Sequence, residues 1–460
     1  MTRPPKYWKT VDVKAIKGGK GETMLSKPMR NRICFAYLSL IACIAIGFLY
    51  RIALFISLKI HFFQQTGPSS FSFIDFVAFY SAGKIVLSSA RAHIYEFATQ
   101  LAAYNQTISD SLGVNTAVDH IPLGQSVPWF FAFLAPFSLL PIFYSYITWS
   151  LAGIGLSGLS LWKLLKQNGY TKLFSALFLL CVAGSYPYAW LIKDGQNSAF
   201  VLAAFGLMLY SWFRGSDTTA GIALALMSIK PQYALFMIIP AIAMRRWRVL
   251  TSAAASGLVL IGISVLFFGV KTLVDYPSLL HQTEKTDPAV FPTWMVSVRG
   301  PLSIVMDLDR ALSISTIMYA LAFLALLVFW LRSAAGSSQT KIRIAMGITL
   351  VSCLLTSPHT HIYDLVVFAA VAAIIPMRSF FETTGMPAAF VVWSRVMVLY
   401  PILSFCIYLL TEVHAFFKFG GEIVGVGFFI VNCCLFGLLI WLYRSADLLK
   451  SEASDETMVT

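Results

Sequence analysis

The stretch PWFFAFLAPFSLLP, residues 128–141, decides how this chain is arranged in a membrane. It is as apolar as a membrane span, but it has only 14 residues and is bracketed by Pro128 and Pro141. A helix needs about 20 apolar residues to cross a bilayer. Proline also lacks the amide hydrogen that a continuing helix uses. The stretch therefore predicts a re-entrant or interfacial helix that does not cross.

The basic residues on either side of this stretch support that interpretation. If residues 128–141 do not cross, Lys163, Lys166 and Lys172 fall on the side of the basic N-terminus. The other basic groups that join them on this side are Arg214, Arg245, Arg246, Arg248, Arg332, Lys341, Arg343, Arg378 and Arg444. Cytoplasmic loops are enriched in Lys and Arg. We therefore expect cytoplasmic tails at 1–32 and 444–460, and a long outer loop at 59–142.

The composition is that of a polytopic membrane protein. Hydrophobic residues make up 58% of the 460 residues and charged residues only 12%, about half the charge of a soluble domain. The net charge of +13 is expected to set topology and favour anionic headgroups, which makes nucleic acid a poor candidate partner. All seven cysteines lie in apolar stretches without the spacing of a disulfide framework or a metal site.

The apolar runs predict an all-α protein with about twelve membrane segments in a transmembrane domain at 33–443. One run, 218–244, is interrupted by Lys230, Pro231 and Gln232 and is counted as two short helices. The long outer loop is expected to hold two surface helices, at about 74–90 and 128–141. The remaining runs are 33–58, 143–165, 172–189, 196–213, 249–270, 312–332, 343–357, 361–376, 388–411 and 423–443.

Asp75 is the most informative single residue. It lies in FIDFVAFYSAGK, residues 73–84, just after the first apolar run, in a chain with only 21 acidic residues. A carboxylate among aromatic residues at the mouth of a membrane segment is costly to retain and is by default a candidate functional group. Its position suggests an enzyme that works at the membrane surface on a lipid-linked substrate.

Other reactive groups also fall at the predicted outer ends of helices, where they could converge on one site. A carboxylate such as Asp75 can deprotonate an acceptor hydroxyl. Cations and histidines can stabilise a departing phosphate, and amides can orient a sugar. This set suits glycosyl transfer from a lipid phosphate, with Lys230, Arg299 and His359 as candidate phosphate contacts. The further candidates for substrate binding are Gln196, His361, Tyr80 and Lys84.

Simpler roles are open for each of these groups. Asp75 could cap a helix or pair with Lys84, and Lys230 could extend to the membrane interface. Gln196 and Asp194 could cap the helix that starts near 196. His359 and His361 could be hydrogen-bonded residues at the boundary, and Arg299 could be a residue of the loop surface. No cofactor is predicted, and a divalent metal is not indicated.

The ordered set of motifs resembles glycosyltransferase family 87. The motifs are Asp75-Phe76 with Tyr80 to Gly83, then His93-Ile94-Tyr95, Val127-Pro128 with Pro136 to Pro141, Gly195-Gln196-Asn197, Ala220-Gly221 with Ile229-Lys230-Pro231, Arg245 to Arg248, and Ser357-Pro358-His359 with Tyr363-Asp364-Leu365. Each motif is weak alone, but together they run in order from about 33 to 443.

The resemblance implies a GT-C fold, a polyprenyl-phosphate-sugar donor, usually of mannose, and transfer on the outer face of the membrane. In such enzymes the aspartate of the first outer loop is the catalytic base, and Asp75 matches it. The hypothesis is an inverting α-mannosyltransferase in the plasma (inner) membrane, with its active site on the extracytoplasmic side. Its partners would be the lipid-linked donor, a glycolipid or glycan acceptor, and membrane lipids.

Two other functions share these features. A lipid-linked sugar flippase or other transporter would also use broken helices and a basic rim, but it predicts an internal repeat that the sequence lacks. A polymerase or ligase of surface glycans would share the outer loops but would use a pyrophosphate-linked donor. Competition between donors would separate these possibilities.

Overall fold

The computed structural model describes residues 74–112, 121, 124–286, 295–333, 337–374 and 422–456. The predicted tail at 1–32 and the predicted spans at 33–58 and 388–411 lie outside the described residues. The described residues form helices and turns and contain no β-strand. They therefore agree with the predicted all-α class.

The first half of the chain contributes eight α-helices to the described part. Three of them precede the first long helix: α1 (Ile74–Val86), α2 (Phe97–Leu112) and α3 (Pro128–Leu134). The others are α4 (Ile142–Gln167), α5 (Lys172–Gly184), α6 (Tyr186–Asp194), α7 (Ser198–Arg214) and α8 (Asp217–Leu226).

The second half adds another eight. The helices after the break at Lys230 are α9 (Pro231–Ala243), α10 (Trp247–Phe268), α11 (Thr272–Thr286) and α12 (Arg299–Val305). The remaining ones are α13 (Leu308–Ser333), α14 (Gln339–Thr356), α15 (Phe368–Ile374) and α16 (Glu422–Glu456). Helix α16 extends well into the segment 444–460, which was predicted as a tail.

Four helices are long and apolar enough to cross a membrane: α4, α10, α13 and residues Gly425–Arg444 of α16. A fifth results if α5 and α6, which are bent by 60° relative to each other, form one broken span. The chain is therefore a polytopic membrane protein. The count of twelve segments stays a prediction, because the other described apolar helices are only 10–17 residues long.

Prolines place the helix breaks where the sequence indicates them. The run 218–244 is divided at Lys230, whose backbone is extended (φ −125°, ψ 91°) between a 3-10 turn at Met227–Ile229 and α9. Pro231 lies in the first turn of α9, where its missing amide hydrogen costs nothing. Residues 128–141 likewise contain no continuous helix of spanning length, because α3 ends at Leu134 and a 3-10 turn follows at Phe137–Leu139.

Helix α1 is covered by protein for most of its length, and the predicted place of 74–90 at the membrane surface stays a prediction. Phe76, Tyr80 and the residues between them are buried, whereas Lys84 is exposed. Helix α1 packs against α2, α3 and the 3-10 turn after α3. The physical reason is that the run from Phe76 to Ala82 has no polar face to present to water.

An aromatic cluster around Trp149 of α4 holds α1 and α3 in place. The Trp149 ring centroid lies 4.4–6.3 Å from those of Phe76, Phe79, Phe130, Phe133, Phe137 and Phe200. Trp149 Nε1 donates to the carbonyl oxygen of Gly195 at 2.9 Å. The same indole thus packs against α1 and α3 and binds the turn that joins α6 to α7.

Candidate active site

Asp75 lies in the first turn of α1 and is bound by Gln196. The Gln196 amide Nε2 donates to Asp75 Oδ2 at 2.5 Å. Gln196 reaches this position because Gly195 ends α6 in the left-handed region (φ +68°), a conformation that favours glycine. The N-terminus of α1 also favours a negative charge at Asp75.

The surroundings of Asp75 suit a general base. Burial raises the pKa of Asp75 above its ordinary value of 3.8, while the hydrogen bond from Gln196 and the charges of Lys230 and His359 act in the opposite direction. A raised pKa makes a carboxylate a stronger proton acceptor, and nearby donors favour its ionised form. Asp75 thus combines partial burial with nearby positive charge.

Lys230 forms a buried ion pair with Asp364. Asp364 is fully buried and also accepts hydrogen bonds from Ser198 Oγ at 2.6 Å and from the His361 backbone amide at 3.1 Å. Lys230 Nζ lies 4.8 Å from the ring centroid of Tyr363. Buried charges are retained when they are paired and hydrogen-bonded. The break before Pro231 and the start of α7 therefore meet at one charged network.

A second network joins Arg299, Glu284 and His359. Arg299 is fully buried; its guanidinium binds the Glu284 carboxylate and donates to the carbonyl oxygens of Pro358 at 2.9 Å and Glu284 at 2.7 Å. The other oxygen of Glu284, Oε1, lies 2.6 Å from His359 Nδ1. The carboxylate of Glu284 therefore bridges a buried cation and a histidine whose side chain is 31% exposed.

The charge of Glu284 defines the proton on His359. Burial alone would raise the pKa of Glu284, but His359 and Arg299 together lower it from 4.5 to about 2. An ionised carboxylate can only accept a hydrogen bond, so Nδ1 of His359 carries a proton. The other nitrogen, Nε2, makes no hydrogen bond to any described residue, which leaves it available to a ligand.

The predicted site residues fall into two groups by position. Gln196, Lys230, Arg299, His359 and His361 belong to the two networks or to their immediate neighbours, and the rings of His359 and His361 are 4.9 Å apart. Tyr80 and Lys84 do not join them. The Tyr80 hydroxyl donates to the Leu140 carbonyl oxygen at 2.8 Å, and Lys84 lies 5.3 Å above the Tyr80 ring.

Arg299 occupies a different place from the one expected for a phosphate contact. Its guanidinium has no exposed surface and is taken up by Glu284 and two carbonyl oxygens. Its position behind Glu284 makes it a support for that carboxylate. Sequence reasoning did not single out Glu284, which lies in a polar segment between two apolar runs together with another acidic residue, Asp287.

The described residues contain no group of three or more His, Cys, Asp or Glu side chains that could hold a metal ion. The site contains a hydrogen-bonded carboxylate at Asp75, and the two networks add a paired ammonium at Lys230 and an oriented imidazole at His359. A carboxylate, a cation and an imidazole close together can accept a proton and bind an anion, which is what an enzyme that transfers a group to a hydroxyl requires.

Comparison with known families agrees with this class. The family model described as glycosyltransferase family 87 matches residues 127–358, half of the chain. The chain therefore belongs to glycosyltransferase family 87, a family of membrane glycosyltransferases, and the resemblance predicted from its motifs is confirmed. No curated protein matches the chain. The match includes Gln196, Lys230, Glu284 and Arg299, whereas Asp75, His359 and Asp364 lie outside it.

Proposed function

We propose that the protein transfers a hexosyl group, mannose in the first instance, from a polyprenyl-phosphate donor to an acceptor hydroxyl. The observation that carries the proposal is the hydrogen bond from Gln196 to Asp75 beside the two networks that end in Lys230 and His359. The proposed base and the two proposed phosphate-binding groups come from separate parts of the chain, and Lys230 and His359 lie near enough to Asp75 to act on its charge. The transfer takes place on the outer face of the plasma membrane.

Asp75 is the general base in this proposal. It removes the proton from the acceptor hydroxyl while the acceptor oxygen attacks the anomeric carbon of the donor sugar. The bond from that carbon to the phosphate oxygen breaks, and the phosphate leaves with the electron pair. Attack opposite the leaving group inverts the configuration, so a β-linked lipid donor yields an α-linked product. Asp75 then releases its proton to solvent.

Lys230 and His359 stabilise the charge that develops on the departing phosphate. Lys230 has three N–H donors and uses one on Asp364, so others are available to a phosphate oxygen. His359 Nε2 donates when the ring is protonated, because Glu284 already occupies Nδ1. Gln196 keeps Asp75 oriented, and Arg299 acts through Glu284 rather than on the phosphate.

The experiment is transfer by the purified protein in lipid nanodiscs, with polyprenyl-phosphate-mannose as donor and a panel of glycolipid and glycan acceptors. Asp75→Asn keeps the shape of the side chain but removes the base. General-base catalysis is worth roughly 10²–10⁴-fold, so we expect a loss of at least two orders of magnitude. Full transfer by Asp75→Asn would sink the assignment of the base.

A control variant and a second donor sharpen the result. Asp110→Asn changes an exposed carboxylate of α2 and should leave the rate unaltered. Uptake of a pyrophosphate-linked donor in preference to the monophosphate would instead favour a glycan polymerase or ligase. The protein is also reconstituted in liposomes. Movement of the lipid-linked sugar from one leaflet to the other, without transfer, would favour a flippase.

A further inference from the structure

Asp194 is a carboxylate for which the described part of the chain supplies no donor. It is the last residue of α6, two positions before Gln196, and its side chain is only partly exposed. No hydrogen bond or ion pair links it to a described residue. The donors that its oxygens need must therefore come from water or from a ligand.

Two features make the position of Asp194 unfavourable for a negative charge. The C-terminus of a helix carries partial negative charge, which repels a carboxylate. Asp75 acts on Asp194 as a second charge of the same sign. Lys193, the neighbouring cation, is turned to the indole of Trp190, with its Nζ 3.9 Å from the ring centroid. Lys193 lies near enough to favour the charge of Asp194, but it forms no ion pair with the carboxylate.

The turn at Gly195 sets Asp194 beside the proposed base. A Cβ atom at Gly195 would lie 2.4 Å from the Cβ atom of Phe76, so α6 ends directly against the first turn of α1. Gln196 then binds Asp75. The same turn leaves another acceptor without a donor, because the buried Asn197 Oδ1 also has no hydrogen-bond partner among the described residues. Two side-chain acceptors in this turn, the Asp194 carboxylate and Asn197 Oδ1, therefore have no hydrogen-bond donor among the described residues.

We propose that Asp194 forms the binding subsite for the acceptor, and that it accepts hydrogen bonds from hydroxyl groups of an acceptor sugar. Sugar hydroxyls supply the donors that the turn lacks, and a carboxylate accepts two such bonds at once. The acceptor side is favoured over the donor side because Asp194 neighbours the base, whereas Lys230 and His359 are the groups that suit the phosphate. This inference rests on the proposed function in its use of Asp75 as base.

The test compares the wild-type protein in nanodiscs with Asp194→Asn and with the exposed control Asp110→Asn. The donor is polyprenyl-phosphate-mannose, and the acceptors are octyl α-D-mannopyranoside, octanol and water. An amide cannot accept charge-assisted hydrogen bonds from hydroxyls, so the ratio of transfer to the mannoside over hydrolysis should fall at least about tenfold. The ratio of octanol transfer over hydrolysis should stay constant, as should both ratios in Asp110→Asn.

A binding measurement separates this inference from the proposed function. Octyl α-D-mannopyranoside should raise the melting temperature of the wild-type protein in nanodiscs more than that of Asp194→Asn, whether or not turnover is observed. Equal shifts in the two proteins, or an equal transfer ratio, would overturn the role of Asp194. Absence of both transfer and donor hydrolysis in the wild-type protein, with the Asp194-dependent shift intact, would overturn the proposed reaction and leave the sugar subsite standing.

Discussion

Nδ1 of His359 lies 2.6 Å from Oε1 of Glu284, and Arg299 binds the other oxygen of the same carboxylate. Glu284 belongs to α11, Arg299 begins α12, and His359 follows α14. The carboxylate therefore fixes both the position and the protonated nitrogen of an imidazole that borders the proposed active site. Any role of His359 toward a donor phosphate depends on this support.

The first prediction concerns the activity of a Glu284 variant. Glu284→Gln retains the size of the side chain but removes the charge that bridges Arg299 and His359. The amide can present either an acceptor or a donor to Nδ1, so the ring is no longer held in one protonation pattern. We expect transfer to fall by about tenfold or more, by analogy with the roughly 10–100-fold cost of removing the partner of a metal-ligating histidine, with a larger effect on kcat than on KM for the acceptor.

The control for this experiment is Glu96→Gln, which removes a comparable contact on the surface. Glu96 Oε1 lies 2.7 Å from His93 Nδ1, and both side chains are about half exposed. An exposed pair of this kind contributes little, so transfer should be unaffected. Equal losses in Glu96→Gln and Glu284→Gln would contradict a specific role of the buried pair.

The second prediction is a pH dependence of stability. The folded-state pKa of Glu284 is about 2 against an ordinary 4.5, so its contribution to stability is present above pH 4.5 and is lost as the pH falls towards 2. A shift of this size corresponds to roughly 3 kcal/mol. The difference in melting temperature between the wild-type protein and Glu284→Gln should therefore be largest near pH 7 and shrink below pH 4.5. A constant difference over this range would contradict the lowered pKa.

The sequence predicted the parts of the site that depend on local chemistry. Pro231 marks a helix break, so the position of Lys230 at that break could be predicted from the sequence. Gly195 before Gln196 likewise indicates a helix end. Glu284 could not be found in this way, because its role depends on Arg299, 15 residues away, and on His359, 75 residues away. Those contacts exist only after α11, α12 and the loop after α14 have packed.

The burial of α1 was also beyond the sequence. The run around Phe76 was predicted to form a surface helix of the long outer loop, and the sequence does not show whether such a helix is also covered by protein. Helix α1 is covered by α2 and by the segment 128–141, and the close approach of this segment to α1 requires a glycine at position 83. A Cβ atom there would lie 1.9 Å from Ser138 Oγ.

The third prediction concerns the pH profile of transfer. The Gln196 hydrogen bond favours the ionised form of Asp75. Gln196→Ala removes that bond and should raise the pKa of Asp75 further. Because a base acts when deprotonated, the acid limb of kcat/KM should move to higher pH. Gln167→Ala, at the far end of α4, should leave the limb in place; an unmoved limb in Gln196→Ala would exclude Asp75 as the titrating base.

The fourth prediction separates stability from function at Lys230. Lys230→Met leaves Asp364 buried and without its counter-ion, which should cost about 3–5 kcal/mol of stability. The double variant with Asp364→Asn should recover much of that loss, because no charge remains unpaired. Transfer should stay low in both, with an increased KM for the donor, since neither contains the ammonium proposed to bind phosphate. Lys271→Met, which disrupts an ion pair whose Lys271 side chain is 70% exposed, should change neither quantity.

Recovery of transfer together with stability in the Lys230 and Asp364 double variant would mean that the pair is purely structural. Melting temperature and donor KM are therefore measured on the same nanodisc preparations. The two readouts must diverge in the double variant for the proposal to stand, because a purely structural pair would move both in the same direction.

The fifth prediction uses two glycines with nearly the same backbone conformation. Gly195 (φ +68°) and Gly215 (φ +77°) each end a helix in the left-handed region, so alanine is strained at either position, at a cost of about 1 kcal/mol. Only Gly195 also meets a neighbour, the Cβ atom of Phe76 at 2.4 Å, whereas nothing lies within 4 Å of a Cβ at Gly215. Gly195→Ala should therefore lower the melting temperature more than Gly215→Ala, because overpacking costs an additional free energy of about 1–3 kcal/mol.

Gly195→Ala should also reduce transfer strongly, because relief of the clash moves Gln196 away from Asp75, while Gly215→Ala retains transfer. Similar transfer rates in the two variants would show that the close approach of the turn to α1 is not what orients Asp75.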